Sequence, residues 1–402
     1  MSFSNNGYDV IIAGAGPAGS SLGIRLARVG LSVLLVEQKR FPRPKLCGEF
    51  ISPECWRHFK ELGVAIELDV AGGTRLRQSV FYSKHGRSVF VPSHWLEQNN
   101  CALGLSRAEM DNILLVRARE CGVHVLEGAS ASGLVLDGNQ VRGISVKTAG
   151  PQKQYLARIT VDATGRSRVL TRWLERRRHL HEPARSAHVA FKAHLRNTRV
   201  AAETCEIYFY PGGYGGLNDI EAGLSNLCFI VSPRDARVHG SEPEKLITGI
   251  RAGNRRASYT LEGAEVVSAW LAVSLEGFGV QNPIPASGML TVGDAAAFID
   301  PFTGSGMLMA LECAELAAAA ILNQRDLLHD PSNFWSIAKA YHDSYMRKFK
   351  SRLRVSALLR RAAFFPGLAD AAILATKNQQ LRQFLAKATR SNNTWRMGIA
   401  AT

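Results

Sequence analysis

The chain has 402 residues, with 49 Lys and Arg against 34 Asp and Glu, a formal net charge of +15, 46% hydrophobic and 21% charged residues. This is globular composition; it excludes a disordered tail protein, a collagen-like repeat and a disulfide-knotted miniprotein, and the length accommodates one large domain or two joined ones. The seven cysteines are scattered and form no CxxC pair, so neither structural zinc nor a disulfide framework is expected, and a reducing cytoplasm is the expected compartment.

In chain order, useful structure is expected from residue 8, with no secretory leader before it. Residues 8–13 form an apolar β run, followed at once by Gly14-Ala-Gly16-Pro17-Ala18-Gly19 and a helical pattern ending at Gly30. Residues 31–36 form a second apolar strand, closed by Glu37 and Gln38. Strand, glycine turn, helix and strand make a βαβ unit on a parallel sheet. The prolines of Phe41-Pro-Arg-Pro-Lys45-Leu-Cys47-Gly48 forbid helix and predict an extended loop. Ser52-Pro53-Glu54 predicts a helix, with Ser52 as its N-cap, that stops at Gly63.

Residues 76–92 read as a hairpin about His85-Gly86, and Ser106-Arg107-Ala-Glu109 as a capping box opening a helix to Gly122. Strand patterns follow at 123–146, around an Asp137-Gly138-Asn139 turn, and at 159–163. Residues 187–275 are rich in alternation, with Cys205, Ile207 and Phe209 set against Glu206, Tyr208 and Tyr210. A final strand at 289–294, a long helix at 304–323 and amphipathic helices at 335–390 complete the chain. The longest near-apolar stretch, residues 307–322, is interrupted by Glu312 and Glu315 and falls short of the roughly 20 apolar residues of a membrane span.

The glycine turn sits where dinucleotide chemistry needs it. The first glycine permits the tight turn, the second lets backbone approach a pyrophosphate, and the third lets helix and strand pack closely. Glu37, at the end of the second strand, can accept both ribose hydroxyls and would repel a 2′-phosphate, so the pocket suits FAD or NAD over NADP. Two further pieces favour FAD. Asp162-Ala-Thr-Gly165 follows a strand; Gly293-Asp294 closes another and leads to Pro301-Phe-Thr-Gly304-Ser305-Gly306 at a helix start. A carboxylate at Asp294 suits a polyol hydroxyl, and the N–H groups of the Gly304–Gly306 turn suit the flavin edge where negative charge collects on reduction.

This three-part pattern resembles the FAD-dependent group A monooxygenases of the aromatic-hydroxylase type and their relatives, the geranylgeranyl reductases and flavin halogenases, over residues 8–325. The resemblance implies a fold of class α/β (α+β overall). A Rossmann-like FAD-binding domain would comprise residues 1–70, 100–180 and 285–330, an inserted mixed β-sheet substrate domain residues 71–99 and 181–284, and a basic helical region residues 331–402. It further implies that Arg107 reaches the FAD phosphate or ribityl region, that Asp294 binds the ribityl chain, and that the Pro301–Gly306 loop faces the ring. Lys45-Leu-Cys47-Gly48-Glu49 resembles the geranylgeranyl reductase branch, whereas the WxWxIP segment of halogenases is absent, which argues against halogenation.

Cys47, flanked by Lys45 and Arg43, is the candidate catalytic side chain in a redox or acid role, with packing or cavity lining, or pairing with a cysteine such as Cys313, as its alternatives. Tyr208, Tyr210 and Tyr214, beside Gly212-Gly213 and Gly215-Gly216, are candidates for the wall of an apolar substrate cavity. Histidines 179, 181, 188 and 194 have strand and loop spacing, so no metal site is expected. Residues 341–402 carry twelve Lys and Arg against two Asp. They offer a solvated face or peripheral contact with an anionic surface; no nucleic-acid motif accompanies them. There is no second Gly-x-Gly-x-x-Gly, so NADPH or NADH is expected to dock transiently as electron donor. The activity expected is an FAD- and NAD(P)H-dependent monooxygenase acting on a small apolar aromatic, polyketide or lipid-like substrate, free or carrier-bound. A double-bond reductase is the alternative, and a non-catalytic flavin-binding protein is the alternative of another class.

Overall fold

The computed structural model describes residues 7–180, 188–238, 242–276, 278–328, 330, 333–363, 378–388 and 390. Strand Gly7–Ala13 pairs in parallel with Val33–Glu37 on one side and with Lys153–Asp162 on the other, so Ile11 lies between Leu34 and Thr160. His124–Glu127 and Met289–Thr291 extend the parallel part, while Gln140–Lys147 and Ser130–Asp137 add an antiparallel wing. Both faces are covered. Val10, Ile12, Leu35 and Val161 pack under the helices Pro17–Ala27, Arg107–Glu120 and Gly306–Leu322, whereas Ile11, Leu34 and Val36 pack with Leu170 and Leu174. Two-sided burial is why these strands read as unbroken apolar runs.

The second sheet runs from the hairpin Gln78–Tyr82 and Ser88–Pro92, through Thr204–Tyr210, Gly213–Asp219 and Ser225–Val231, to His188–Arg196 with Leu271–Leu275 beside it. One face carries Phe191, Tyr208, Tyr210 and Phe229, which pack with Leu246, Ile250 and Ala257. The other face carries Ala190, Phe209, Tyr214 and Ile230, which meet Leu46, Phe81 and Phe302.

Local chemistry corrects several expected boundaries. The strand expected over 289–294 ends at Thr291, because Gly293 turns the chain at φ 62° into a short 3-10 turn. The helix Cys55–Leu62 begins after Glu54; Ser52 Oγ meets Cys55 Sγ at 3.6 Å and does not cap. It does stop at Gly63, whose φ of 71° fits the left-handed cap. Half of the capping box forms: Ser106 Oγ accepts from the Glu109 N–H at 3.2 Å. The reciprocal bond is made instead by Glu221, which accepts from the Ser106 N–H at 2.9 Å.

The helix Phe334–Ala363 packs on Gly306–Leu322 through Tyr341, Tyr345 and Phe349, a stripe of buried rings at i, i+4 and i+8. Arg352 is buried and donates to Glu312 at 2.8 Å, with Lys348 at 3.3 Å from the same carboxylate. Helix Gln379–Ala388 lies against Ser88–Pro92 and the turn Ser93–Trp95. Part of the basic C-terminal charge is therefore directed inward; residues 364–377 and 391–402 lie outside the described residues. No described helix is long and apolar enough to cross a membrane.

Candidate active site

Glycine geometry shapes the first wall of the site. Gly14 has φ 102°, and a Cβ there would lie 2.4 Å from the Ala163 carbonyl oxygen; a Cβ on Gly19 would lie 1.9 Å from the Gly14 oxygen. Both positions are closed by backbone. Gly16 differs: its nearest neighbour would be Arg107 Nη2 at 3.8 Å, so the turn opens there toward free space. Pro17 then starts the helix whose N-terminal N–H groups face the same opening. Glu37 is aimed from behind, with Oε2 accepting from the Ala15 N–H and Oε1 from the Lys39 N–H, each at 3.0 Å.

That opening is one end of a cavity of about 580 Å³ between the two sheets. Gly14, Gly16, Pro17, Ala18, Glu37, Gln38, Arg107, Gly165, Gly293, Asp294, Pro301, Gly304 and Gly306 all line it, as do Cys47 and Tyr214. Clusters far apart in sequence thus share one space. The remaining predicted residues lie elsewhere. Gly19 is covered by its own turn. Asp162 is fully buried and spends its carboxylate on Thr164 and Thr171, accepting from both backbone N–H groups and both hydroxyls at 2.5–3.0 Å, so it builds the Gly165 turn without reaching the cavity. Ser305 is buried against Thr303 Oγ1 at 2.7 Å, and its carbonyl accepts from Arg352 at 3.1 Å.

Tyr208 and Tyr210 require a correction as substrate-cavity candidates. Side chains alternate across a strand, and these two point to the helix-covered face. Tyr208 donates to Glu206 at 2.8 Å and Tyr210 to the Ile230 carbonyl at 2.9 Å. The cavity side of that strand is Cys205, Ile207 and Phe209. Tyr214 does face the cavity, where its hydroxyl donates to Asp300 at 2.5 Å.

Cations crowd the middle of the cavity. Arg107 grips Asp111 with two bonds of 2.7 Å; burial opposes its charge, but Asp111 outweighs burial and holds the guanidinium above its ordinary value. Burial lowers Lys45, and the charges of Arg107, Arg43 and Arg166 lower it further. Asp294 faces these cations; burial raises its carboxyl, with Arg166, Lys45 and Arg107 pulling the other way. Cys47 sits beside Arg107, and its Sγ accepts from the Glu49 N–H at 3.4 Å. An excess of cations in a buried cleft suits an anionic ligand such as a pyrophosphate.

Glu49 is the residue that sequence reasoning missed. It is fully buried at φ 50°, and its carboxylate accepts from the Arg107 N–H at 2.9 Å, Lys192 Nζ at 2.6 Å and His194 Nε2 at 2.7 Å. It ties the Cys47 loop, the Arg107 helix and the second sheet together. It stands in the Lys45–Glu49 segment that carries the reductase-like resemblance, but nothing local distinguishes its carboxylate from ordinary loop polarity.

The residues present fit FAD: an open glycine turn, an aimed carboxylate at Glu37, a second one at Asp294, and a helix start at Gly306. Comparison with known proteins agrees. A family model described as "FAD binding domain" matches residues 7–322. The chain is 27% identical over 385 residues to Conditioned medium factor receptor 1 of Dictyostelium discoideum, covering 91% of this chain and 72% of that one. It is 27% identical over 358 residues to Digeranylgeranylglycerophospholipid reductase 2 of Methanopyrus kandleri, covering 85% and 83% of the two chains. A solved flavin-dependent brominase superposes with a TM-score of 0.80 at 22% identity, covering 95% of this chain and 93% of the other.

Proposed function

The chain belongs to the FAD-binding-domain family, and from that premise we propose that it is an FAD-dependent oxidoreductase that reduces a carbon–carbon double bond of a small apolar, isoprenoid-like substrate, free or carrier-bound, with NADPH or NADH as electron donor. Residues 1–70, 100–180 and 285–330 are assigned to cofactor binding, 71–99 and 181–284 to the substrate, and 331–402 to a basic C-terminal region.

When bound and reduced, FAD supplies a hydride equivalent. Glu37 would accept the ribose hydroxyls, Asp294 would hold a ribityl hydroxyl, and the turn at Gly304 and Gly306 would present N–H groups to the ring. Arg107, locked by Asp111, contributes positive charge beside Gly16. Phe81, Phe209, Ile230 and Phe302 form an apolar wall that orients the alkene and excludes water. The Cys47 thiol would supply the proton to the alkene carbon opposite the one reduced and would regain it from solvent.

The observation that supports this reading over monooxygenation is the placement of residues 46 and 47. Leu46 packs with Phe209 and Phe302, whereas the neighbouring Cys47 packs on the side of the first sheet, beside Arg107. A thiol so placed would serve as proton donor where the apolar wall meets the proposed cofactor wall. The similarity to the Methanopyrus kandleri reductase adds to it. Hydroxylation is the second reading, favoured by the stacked and tilted rings of Phe81, Phe209 and Phe302, which suit a flat substrate.

The test is turnover of the purified holoenzyme with NADPH or NADH and a panel of polyprenyl and aromatic compounds, with air excluded and then admitted. Double-bond reduction predicts a product richer by two hydrogen atoms without oxygen, and a slower rate with retained FAD in Cys47→Ala. Product formation only with air, carrying one oxygen atom, would establish hydroxylation in its place.

A further inference from the structure

The cavity has a cation at its rim that the chemistry above does not use. Helix Gln379–Ala388 crosses the edge strand Ser88–Pro92 and presents Arg382, Leu385 and Ala386 to the cavity. The Arg382 guanidinium stacks over Phe90 at 4.6 Å and over Trp95 at 5.4 Å. Its Nε is buried and has no hydrogen-bond partner among the described residues. The other cations of the lining have carboxylates close by, Arg166 and Lys45 facing Asp294, although Arg43, Arg166 and Arg390 also keep buried N–H groups without a hydrogen-bond partner among the described residues. Arg107 holds Asp111, Arg43 lies 3.3 Å from Asp111 and 3.7 Å from Glu37, and Arg390 lies 3.8 Å from Glu54 and donates to the Gly304 carbonyl at 3.4 Å.

Two rings fix the plane of the Arg382 guanidinium, so little rotamer entropy remains to be lost when an acceptor arrives. A partly desolvated guanidinium without a carboxylate is costly, and an incoming anion relieves that cost. The surrounding lining from the same elements is apolar: Val89, Val91, Leu96 and Leu385. A charged group at the rim of an apolar trough is the complement of an amphipathic molecule.

We infer that Arg382 receives the anionic end, a phosphate or carboxylate, of a substrate whose apolar body runs inward along Val89, Val91 and Leu96. The inference rests on the reading that this cavity takes an apolar substrate beside FAD, and it narrows that substrate to an anionic amphiphile. The other source of a phosphate here is a nicotinamide donor, and the experiment separates the two.

Calorimetric titration of the purified full chain with octyl phosphate, octanol and adenosine 2′-monophosphate is the test, repeated with Arg382→Gln and Arg382→Lys. Octyl phosphate should bind about tenfold more tightly than octanol to the wild type. Arg382→Gln should erase that preference while leaving octanol affinity and melting temperature unchanged, and Arg382→Lys should keep part of it. No preference in the wild type, or an undiminished one in Arg382→Gln, overturns the inference. So does competition of adenosine 2′-monophosphate with octyl phosphate that vanishes in Arg382→Gln. FAD content, measured separately by absorbance, reports on the oxidoreductase reading whichever way the titration falls.

Discussion

Replacing Glu49 by glutamine leaves a buried cation without its counter-charge. Lys192 is 2% exposed and its Nζ lies 2.6 Å from Glu49 Oε1, while His194 Nε2 lies 2.7 Å from Oε2. Burial pushes the Glu49 carboxyl up, but the His194 hydrogen bond and the Lys192 charge outweigh burial and hold it below its ordinary value. A carboxylate depressed in the fold contributes stability above its unfolded pKa and loses it as pH falls through the folded value. Glutamine keeps the volume and one acceptor but not the charge. Breaking one side of a buried pair costs about 3–5 kcal/mol, and Lys192→Met should fall in the same range. The double variant removes both charges, so its loss should be smaller than the sum of the two singles by about 2 kcal/mol or more. Urea unfolding of the full chain followed by tryptophan fluorescence reads all four corners of this cycle. Below about pH 5, wild-type stability should also fall more steeply than that of Glu49→Gln. Two single losses under about 1 kcal/mol that simply add would refute the reasoning, because the three groups would then be solvated and independent.

Two further outcomes follow from burial and strand parity. Burial pushes Cys55, Cys205 and Cys228 up to about 12 and Cys313 to about 11, so neutral iodoacetamide should label Cys47, Cys101 and Cys121 first; peptide mass mapping that finds Cys228 ahead of Cys47 contradicts this, although both line the cavity. Phe209→Ala should weaken apolar-ligand binding by about tenfold. Tyr208→Phe, which loses only a hydroxyl bonded to Glu206, should cost about 0.5–1.5 kcal/mol of stability and leave ligand binding alone. The reverse pattern in titrations would return the tyrosine face to the cavity.

Much of the cofactor wall is legible in sequence because its signals are backbone signals. Gly14 and Gly19 are required by contacts of 2.4 and 1.9 Å that any side chain would violate, and such requirements show as fixed residue types. Glu37 lies at a strand end, where periodicity places it, whereas Asp294 lies in the 3-10 turn just beyond a strand and is legible only through the Gly293-Asp294 motif. The substrate wall is less legible. Alternation over residues 205–210 separates Cys205, Ile207 and Phe209 from Glu206, Tyr208 and Tyr210, but both sets bury apolar surface, one under helices and one over the cavity. Nothing local says which face is which. Asp162 stands in a recognisable motif, yet its four bonds go to Thr164 of the turn and Thr171 of the following helix, a distinction that residue type does not carry. Glu49 and Arg382 depend on elements more than 140 and 280 residues away, Lys192 and Ser88–Pro92 respectively, and long-range pairing of this kind leaves no mark on one sequence.

Chromophore analysis of the purified protein bears most directly on the claim that one cavity grips one flavin. Protein precipitated after purification should release FAD, identified by mass, at about one per chain. Gly16→Val, which fills the open position of the glycine turn, and Asp294→Ala should each release much less while keeping a wild-type circular dichroism spectrum. A colourless wild type, or full FAD retention in both variants, would contradict the account.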